Sequence, residues 1–309
     1  MLHGTKHPTV VGAVESGLLD CPAMSDSPSA ITPPLLARPG RWRIGLFDSG
    51  VGGLSILRDL RAALPAAELL YVADSAHAPY GERDVAHILA RSDTIAGFLK
   101  GQGAQVLIVA CNTATAAAVK ELREQHLHWP IIGVEPGLKP AVAATRSGRI
   151  SVMATTSTLA SEKFQQLLRA CSHRDGLALH IHQQACPGLA HAIEQGDLNS
   201  PQVIELVQRF CDSIAAHAAD TVVLGCTHYP LVRHHIEAAL GRGVTVIDTA
   251  EAIARRAISL CSDLPQIEAS DAPVPTRLWT SGDANAVALI ARHWLDFPVE
   301  VQSLPPAWA

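Results

Sequence analysis

Lysine is scarce in this chain. Of 24 cationic side chains in 309 residues, five are lysine: Lys6, Lys100, Lys120, Lys139 and Lys163. None follows a strand-like run, and Lys100 and Lys120 read as helix-surface residues, so a Schiff-base lysine for a pyridoxal cofactor is not expected. The seven cysteines include no C-x-x-C pair. An odd number of thiols, spread without paired spacing, reads as reduced cytoplasmic cysteine rather than a disulfide framework. Long apolar runs are missing, and the net charge of −5 contains no long run of one sign. Neither a membrane nor nucleic acid is therefore expected as the main partner. The glycine-rich turn Asp48-Ser49-Gly50-Val51-Gly52-Gly53 is not G-x-G-x-x-G, and no Walker lysine follows it. A nucleotide is a weak reading, and a carboxylate is an equally good guest for its N–H groups.

What remains is a globular composition, 48% hydrophobic, long enough for one or two domains. Residues 1–42 carry several prolines, a Ser/Pro-rich piece and no lasting periodicity. They read as a disordered N-terminal extension, with Met24 a candidate start. From Arg43 onward, short β-branched runs alternate with helical patterns. Strands are expected over 44–47, 68–73, 106–110, 130–134, 149–154, 177–183, 221–224, 244–247, 277–280 and 299–302. One unbroken helix is expected over 159–170 and another over 231–240. Such alternation means parallel sheets with right-handed crossovers. Ten strands are too many for one comfortable open sheet. The expected fold class is α/β: two pseudo-symmetric doubly wound lobes, mainly parallel, with the active site between them.

Two stretches look like copies of one idea. Val106-Leu107-Ile108-Val109-Ala110 ends in Cys111, and Thr221-Val222-Val223-Leu224-Gly225 ends in Cys226. Ligands in open α/β sheets sit at the carboxyl ends of strands, so both thiols are expected at a site. A cysteine there also lies near the next helix N-terminus, whose dipole is expected to lower its pKa. Cys21, Cys171, Cys211 and Cys261 lack that context and read as small core residues, while Cys186 precedes Pro187 in a loop. His228 stands two residues after Cys226 and could serve it as a hydrogen-bond partner. Asp48 ends the first strand at the same edge as Cys111, and plain helix capping is its competing use. Zinc on Cys111, Cys226 and His228 is the metal alternative, weakened because only one tight ligand pair occurs.

Several motifs stand in order: Asp48-Ser49-Gly50-Val51-Gly52-Gly53, Asp74 with Pro79-Tyr80-Gly81, Ala110-Cys111-Asn112-Thr113-Ala114 and Leu224-Gly225-Cys226-Thr227-His228-Tyr229-Pro230. Together they resemble the glutamate racemases of the aspartate/glutamate racemase superfamily, over roughly residues 43–303. The resemblance implies a cofactor-independent isomerase that interconverts L- and D-glutamate and supplies D-glutamate for peptidoglycan and hence for cell-wall biogenesis and cell shape. It implies that Cys111 and Cys226 are the acid/base pair, Cys111 taking the proton from D-glutamate and Cys226 from L-glutamate, that Asp48 assists Cys111, and that His228 assists Cys226. Glu194, eight residues after Cys186, resembles a further acidic residue near the second thiol. Substrate contacts are implied at Asp48, Ser49, Tyr80, Gly81, Asn112, Thr113, Thr227 and His228. The family fold further implies that 43–135 and 249–309 form lobe one and 136–248 lobe two. A homodimer is compatible with the resemblance, and the sequence leaves oligomeric state undetermined. Three other readings stay open at this point: a relative acting on aspartate or another acid, a metabolite-binding protein without turnover, and a thiol-redox protein.

Overall fold

The computed structural model describes residues 41–267 and 276–309. The expectations for residues 1–40 and for Cys21 fall outside them. Strand β1 (Arg43–Asp48) leads through the glycine turn into helix α1 (Leu54–Ala63). Leu54, Leu57 and Leu60 recur at helical spacing and are fully buried, and Pro65 lies just beyond the end. Strand β2 (Glu68–Ala73) is followed by two short 3-10 turns and helix α2 (Val85–Gly101), which Asp84 caps by accepting from the His87 N–H at 2.7 Å. Strand β3 (Val106–Val109), helix α3 (Asn112–Gln125) and strand β4 (Ile131–Gly133) complete the first run.

Helix α4 (Leu138–Ala144) leads to strand β5 (Arg149–Ala154). The helix expected over 159–170 is two helices, α5 (Thr156–Ala160) and α6 (Glu162–Ala170). Ser161 breaks it: its backbone is extended and its hydroxyl caps the second piece at Phe164 N. A capping serine offered an N–H partner competes with helix continuation. The strand expected over 177–183 is also split. A small antiparallel pair, β6 (His173–Arg174) and β7 (Leu177–Ala178), precedes the sheet strand β8 (His180–Ala185). Helices α7 (Leu189–Glu194) and α8 (Pro201–Ala216) then lead to strand β9 (Thr221–Leu224). Tyr229–Val232 is a 3-10 turn before helix α9 (Arg233–Leu240), so the expected 231–240 helix begins later and tighter. Strand β10 (Thr245–Ile247), helix α10 (Ala250–Cys261), strand β11 (Thr276–Thr280), helix α11 (Ala284–Trp294) and strand β12 (Glu300–Ser303) finish the chain.

Besides the antiparallel β6–β7 pair, the described residues form two sheets, each parallel throughout. The first has the order β12-β11-β2-β1-β3-β4, and the second β10-β9-β5-β8. The chain therefore leaves the first sheet after β4, builds the second, and returns. Helix α10 packs on α1 on the way back, and β11 pairs with β2. Among the described residues no helix is long and apolar enough to cross a membrane.

Register decides what meets at the sheet edges. Asp48 pairs with Ala73, and Phe47 with Val109. Asp48, Asp74 and Cys111 therefore leave the first sheet side by side at its carboxyl edge. In the second sheet Met153 pairs with Leu224 and Ala154 with Ala185. Thr155, Cys186 and Cys226 accordingly leave that sheet together.

Candidate active site

Asp48 joins the two edges. Its Oδ1 accepts from Ser49 N at 2.7 Å, and its Oδ2 accepts from Gly53 N at 2.7 Å and from Thr227 Oγ1 at 3.1 Å. Thr227 lies between Cys226 and His228, so this one carboxyl group ties the second cysteine turn to the first glycine turn. Burial pushes the Asp48 pKa up, the nearby His228 charge and backbone donors pull it down, and burial wins.

Cys111 is the N-cap of α3, its sulfur accepting from Ala114 N at 3.5 Å. Its thiol faces Ser49 Oγ at 3.7 Å. The helix-end donor was expected to lower its pKa. The pKa is instead well above the ordinary thiol value, because burial and then the Asp48 charge outweigh the single backbone donor. A thiolate at Cys226 would raise it further, so the two sulfurs sense one another. Cys111 is thus a thiol at neutral pH.

Cys226 has different company. Its sulfur lies 3.8 Å from His228 Nδ1, and His228 Nε2 lies 2.7 Å from Glu194 Oε2. The His228 side chain is 2% exposed and that of Glu194 10%, which is not the environment of a solvated helix-end glutamate. Burial disfavours a charged His228. The hydrogen bonds and charges of Cys226 and Glu194 outweigh it and hold the pKa well above 6.5. Both ring nitrogens then carry protons, and the imidazolium Nδ1–H is the donor that a thiolate at Cys226 would take. The two thiols therefore sit in unlike settings, Cys111 beside an anion and Cys226 beside a cation.

Several N–H groups of the glycine turn already serve the protein's own carboxylates. Gly53 N goes to Asp48 and Val51 N to Glu194 Oε2 at 2.9 Å, so both guests are the protein's own carboxylates. The glycines give room. A Cβ at Gly50 would lie 2.2 Å from Glu194 Oε2, and one at Gly52 2.6 Å from His228 Nδ1. Gly50→Ala is accordingly expected to push the Glu194 carboxylate off His228, Val51 N and Ser75 Oγ, and to slow catalysis by about 10-fold or more. Combined with Glu194→Gln it should cost little beyond either single change. Steady-state rates of the two single variants and the double variant check this, and additive losses would show that Gly50 acts elsewhere.

The remaining candidates line the same edges. Asn112 Nδ2 donates to Val134 O at 3.3 Å. Thr113 Oγ1 meets Thr155 Oγ1 at 3.1 Å and Thr158 Oγ1 at 3.2 Å, a hydroxyl cluster joining the two sheets. A Cβ at Gly81 would meet Thr155 at 3.0 Å, which places the Tyr80-Gly81 turn beside that cluster. Tyr80 is buried, and its hydroxyl donates to Asp74 Oδ2 at 2.5 Å, so it belongs to the wall. Arg91 clamps the same carboxylate through Nη2 at 2.8 Å and Nε at 3.0 Å. Sequence reasoning missed Arg91, Ser75, which donates to Glu194 Oε1 at 2.7 Å, and Tyr71, which donates to Gly50 O at 2.7 Å. Arg91 follows Asp74 by a whole loop and a helix turn, and no local pattern marks it. Cys171, Cys186, Cys211 and Cys261 are buried and unbridged, and of these Cys186 stands near Cys226. Among the described residues, no group of three or more His, Cys, Asp or Glu side chains converges as metal ligands would.

The family model for Asp/Glu/Hydantoin racemase matches residues 51–257. Glutamate racemase of Pseudomonas aeruginosa is 47% identical over 238 residues, which cover 77% of this chain and 88% of that protein. Among solved structures, glutamate racemase isoform RacE1 from Bacillus anthracis superposes with a TM-score of 0.76 at 32% identity, covering 87% of this chain and 99% of that one. Escherichia coli glutamate racemase, solved with L-glutamate and the activator UDP-MurNAc-Ala, gives 0.75 at 27% identity, covering 85% of this chain and 98% of that one.

Proposed function

This chain belongs to the Asp/Glu/hydantoin racemase family, and on that premise we propose that it interconverts L- and D-glutamate by passing a proton between Cys111 and Cys226. The D-glutamate so made serves peptidoglycan synthesis, the purpose of the glutamate racemases it resembles.

Racemisation needs a base on one face of Cα and an acid on the other. In the L-to-D direction the Cys226 thiolate takes the Cα proton. The electron pair left behind spreads into the carboxylate, and the Cys111 thiol delivers its proton to the opposite face. The two sulfurs have then exchanged protonation states, and the reverse direction starts from that state. The observation that carries this reading is the unequal setting of the two thiols. His228, backed by Glu194, stands 3.8 Å from the Cys226 sulfur as a donor for it, while burial and Asp48 keep Cys111 protonated. A protonated Cys111 and a donor beside Cys226 suit the L-glutamate direction under the resemblance, which assigns Cys226 to the L-isomer. Glu194 orients and charges His228, and Asp48 joins the two turns. For the substrate we propose Ser49, Asn112, Thr113, Thr227 and the Tyr80-Gly81 turn as the polar lining. The segments 43–135 with 249–309, and 136–248, are proposed as lobes that close on it.

Polarimetry tests the activity. Purified protein with L-glutamate, no added cofactor and excess chelator should lose optical rotation to zero, and L-aspartate should not. No loss with L-glutamate would sink the reading, and faster loss with L-aspartate would move the substrate.

A further inference from the structure

Tyr229 follows the Cys226-Thr227-His228 turn directly, and its backbone N–H donates to Cys226 O at 3.1 Å. The side chain is wholly buried in the core cluster that also contains Cys186 and Cys226. Its hydroxyl makes no well-aligned hydrogen bond. A buried phenol normally finds one, because leaving the O–H unmatched costs its full desolvation. The polar groups that flank it are the sulfurs of Cys186 and Cys226.

Of those two, Cys186 is the poorer acceptor. Its own S–H donates to Gln184 O at 3.4 Å, and burial pushes its pKa up, so it stays a neutral thiol. Cys226 is the sulfur that becomes anionic during turnover. A thiol accepts a hydrogen bond weakly and a thiolate strongly. We propose that Tyr229 is a positioning residue for Cys226, whose hydroxyl is held only weakly between the two sulfurs while Cys226 is a thiol and donates to Cys226 when it is a thiolate. The inference rests on the reading of Cys226 as a proton-transfer base. On that reading the thiolate has two donors, His228 Nδ1–H and the Tyr229 O–H. The phenol restrains the sulfur, while the imidazolium supplies charge.

The consequence is a shift in proton affinity rather than in packing. A hydrogen bond to a charged acceptor is strong enough to move a pKa by about one to two pH units. Tyr229→Phe keeps the ring and removes the donor. The acid limb of kcat/KM against pH should rise by about one pH unit or more, while activity on the plateau falls less. Because the two thiols titrate as a pair, the same shift should be read directly. In Cys111→Ala, thiolate absorbance near 240 nm should appear at higher pH when Tyr229→Phe is added. Site-specific 3-fluorotyrosine at 229, a more acidic phenol of nearly the same size, should move both signals the other way. That variant also answers for the phenylalanine variant if it folds poorly.

Unshifted limbs and absorbance in both variants would overturn the proposal, even if plateau activity fell. Failure of the underlying reading looks different: Cys226→Ala would itself still racemise glutamate, whatever happened at 229.

Discussion

Cys111→Ala and Cys226→Ala are each expected to lower the racemisation rate by at least about 10³-fold. Removing either sulfur leaves one face of Cα without a proton donor, so inversion stops. The two variants should differ in what survives. Cys111→Ala keeps Cys226 with its His228–Glu194 support and should still exchange the Cα hydrogen of L-glutamate with solvent, without inversion. Cys226→Ala keeps Cys111 beside Asp48 and should do so only with D-glutamate. Cys111 also caps α3, so its alanine variant should lose some stability, and serine should restore the cap but not the rate. Thermal melts separate the two effects. Appreciable racemisation by either alanine variant would refute the pair.

Glu194→Gln should cut kcat by about 10- to 100-fold with the fold intact. The substitution keeps shape and hydrogen-bonding capacity but removes the charge that faces His228 Nε2 at 2.7 Å. The sign is fixed by that charge. The His228 pKa is raised in the native protein, so imidazolium persists well above pH 6.5. Without the Glu194 charge it should deprotonate at lower pH, and the alkaline limb of kcat should move down. An alkaline limb that stays in place would mean that Glu194 orients the ring without setting its charge. Neither outcome needs large unfolding, since the pair is one contact in a core built mainly from the two sheets.

Much of this architecture is legible in the residues. Alternation of short β-branched runs with helical spacing is a local signal, and the strands ending at Asp48, Ala73, Val109, Ala154 and Leu224 follow from it. Placing Cys111 and Cys226 at strand ends needs only the rule for parallel sheets. What local pattern does not carry depends on distant approach, as with Arg91 and Ser75. Glu194, reached in the sequence only through the resemblance, sits 34 residues before His228 and meets it where Gly50 and Gly52 leave space, a relation no spacing reveals. The same packing inverted the expectation for Cys111: a local helix-end effect was outweighed by burial, which depends on the whole fold. Ser161 shows a smaller version, where a serine hydroxyl competed successfully with an otherwise continuous helical pattern. The return of β11 to pair with β2 had no local signature and came from family resemblance.

The central claim is that two sulfurs work from opposite faces of one Cα. Deuterium content of both isomers at early times tests it most directly. With protiated L-glutamate in D₂O, the first D-glutamate formed should carry deuterium at Cα, while the remaining L-glutamate stays protiated. The proton removed and the proton returned then belong to different groups. First-formed D-glutamate retaining protium, or L-glutamate gaining deuterium as fast as product appears, would mean a single base serving both faces and would contradict the account.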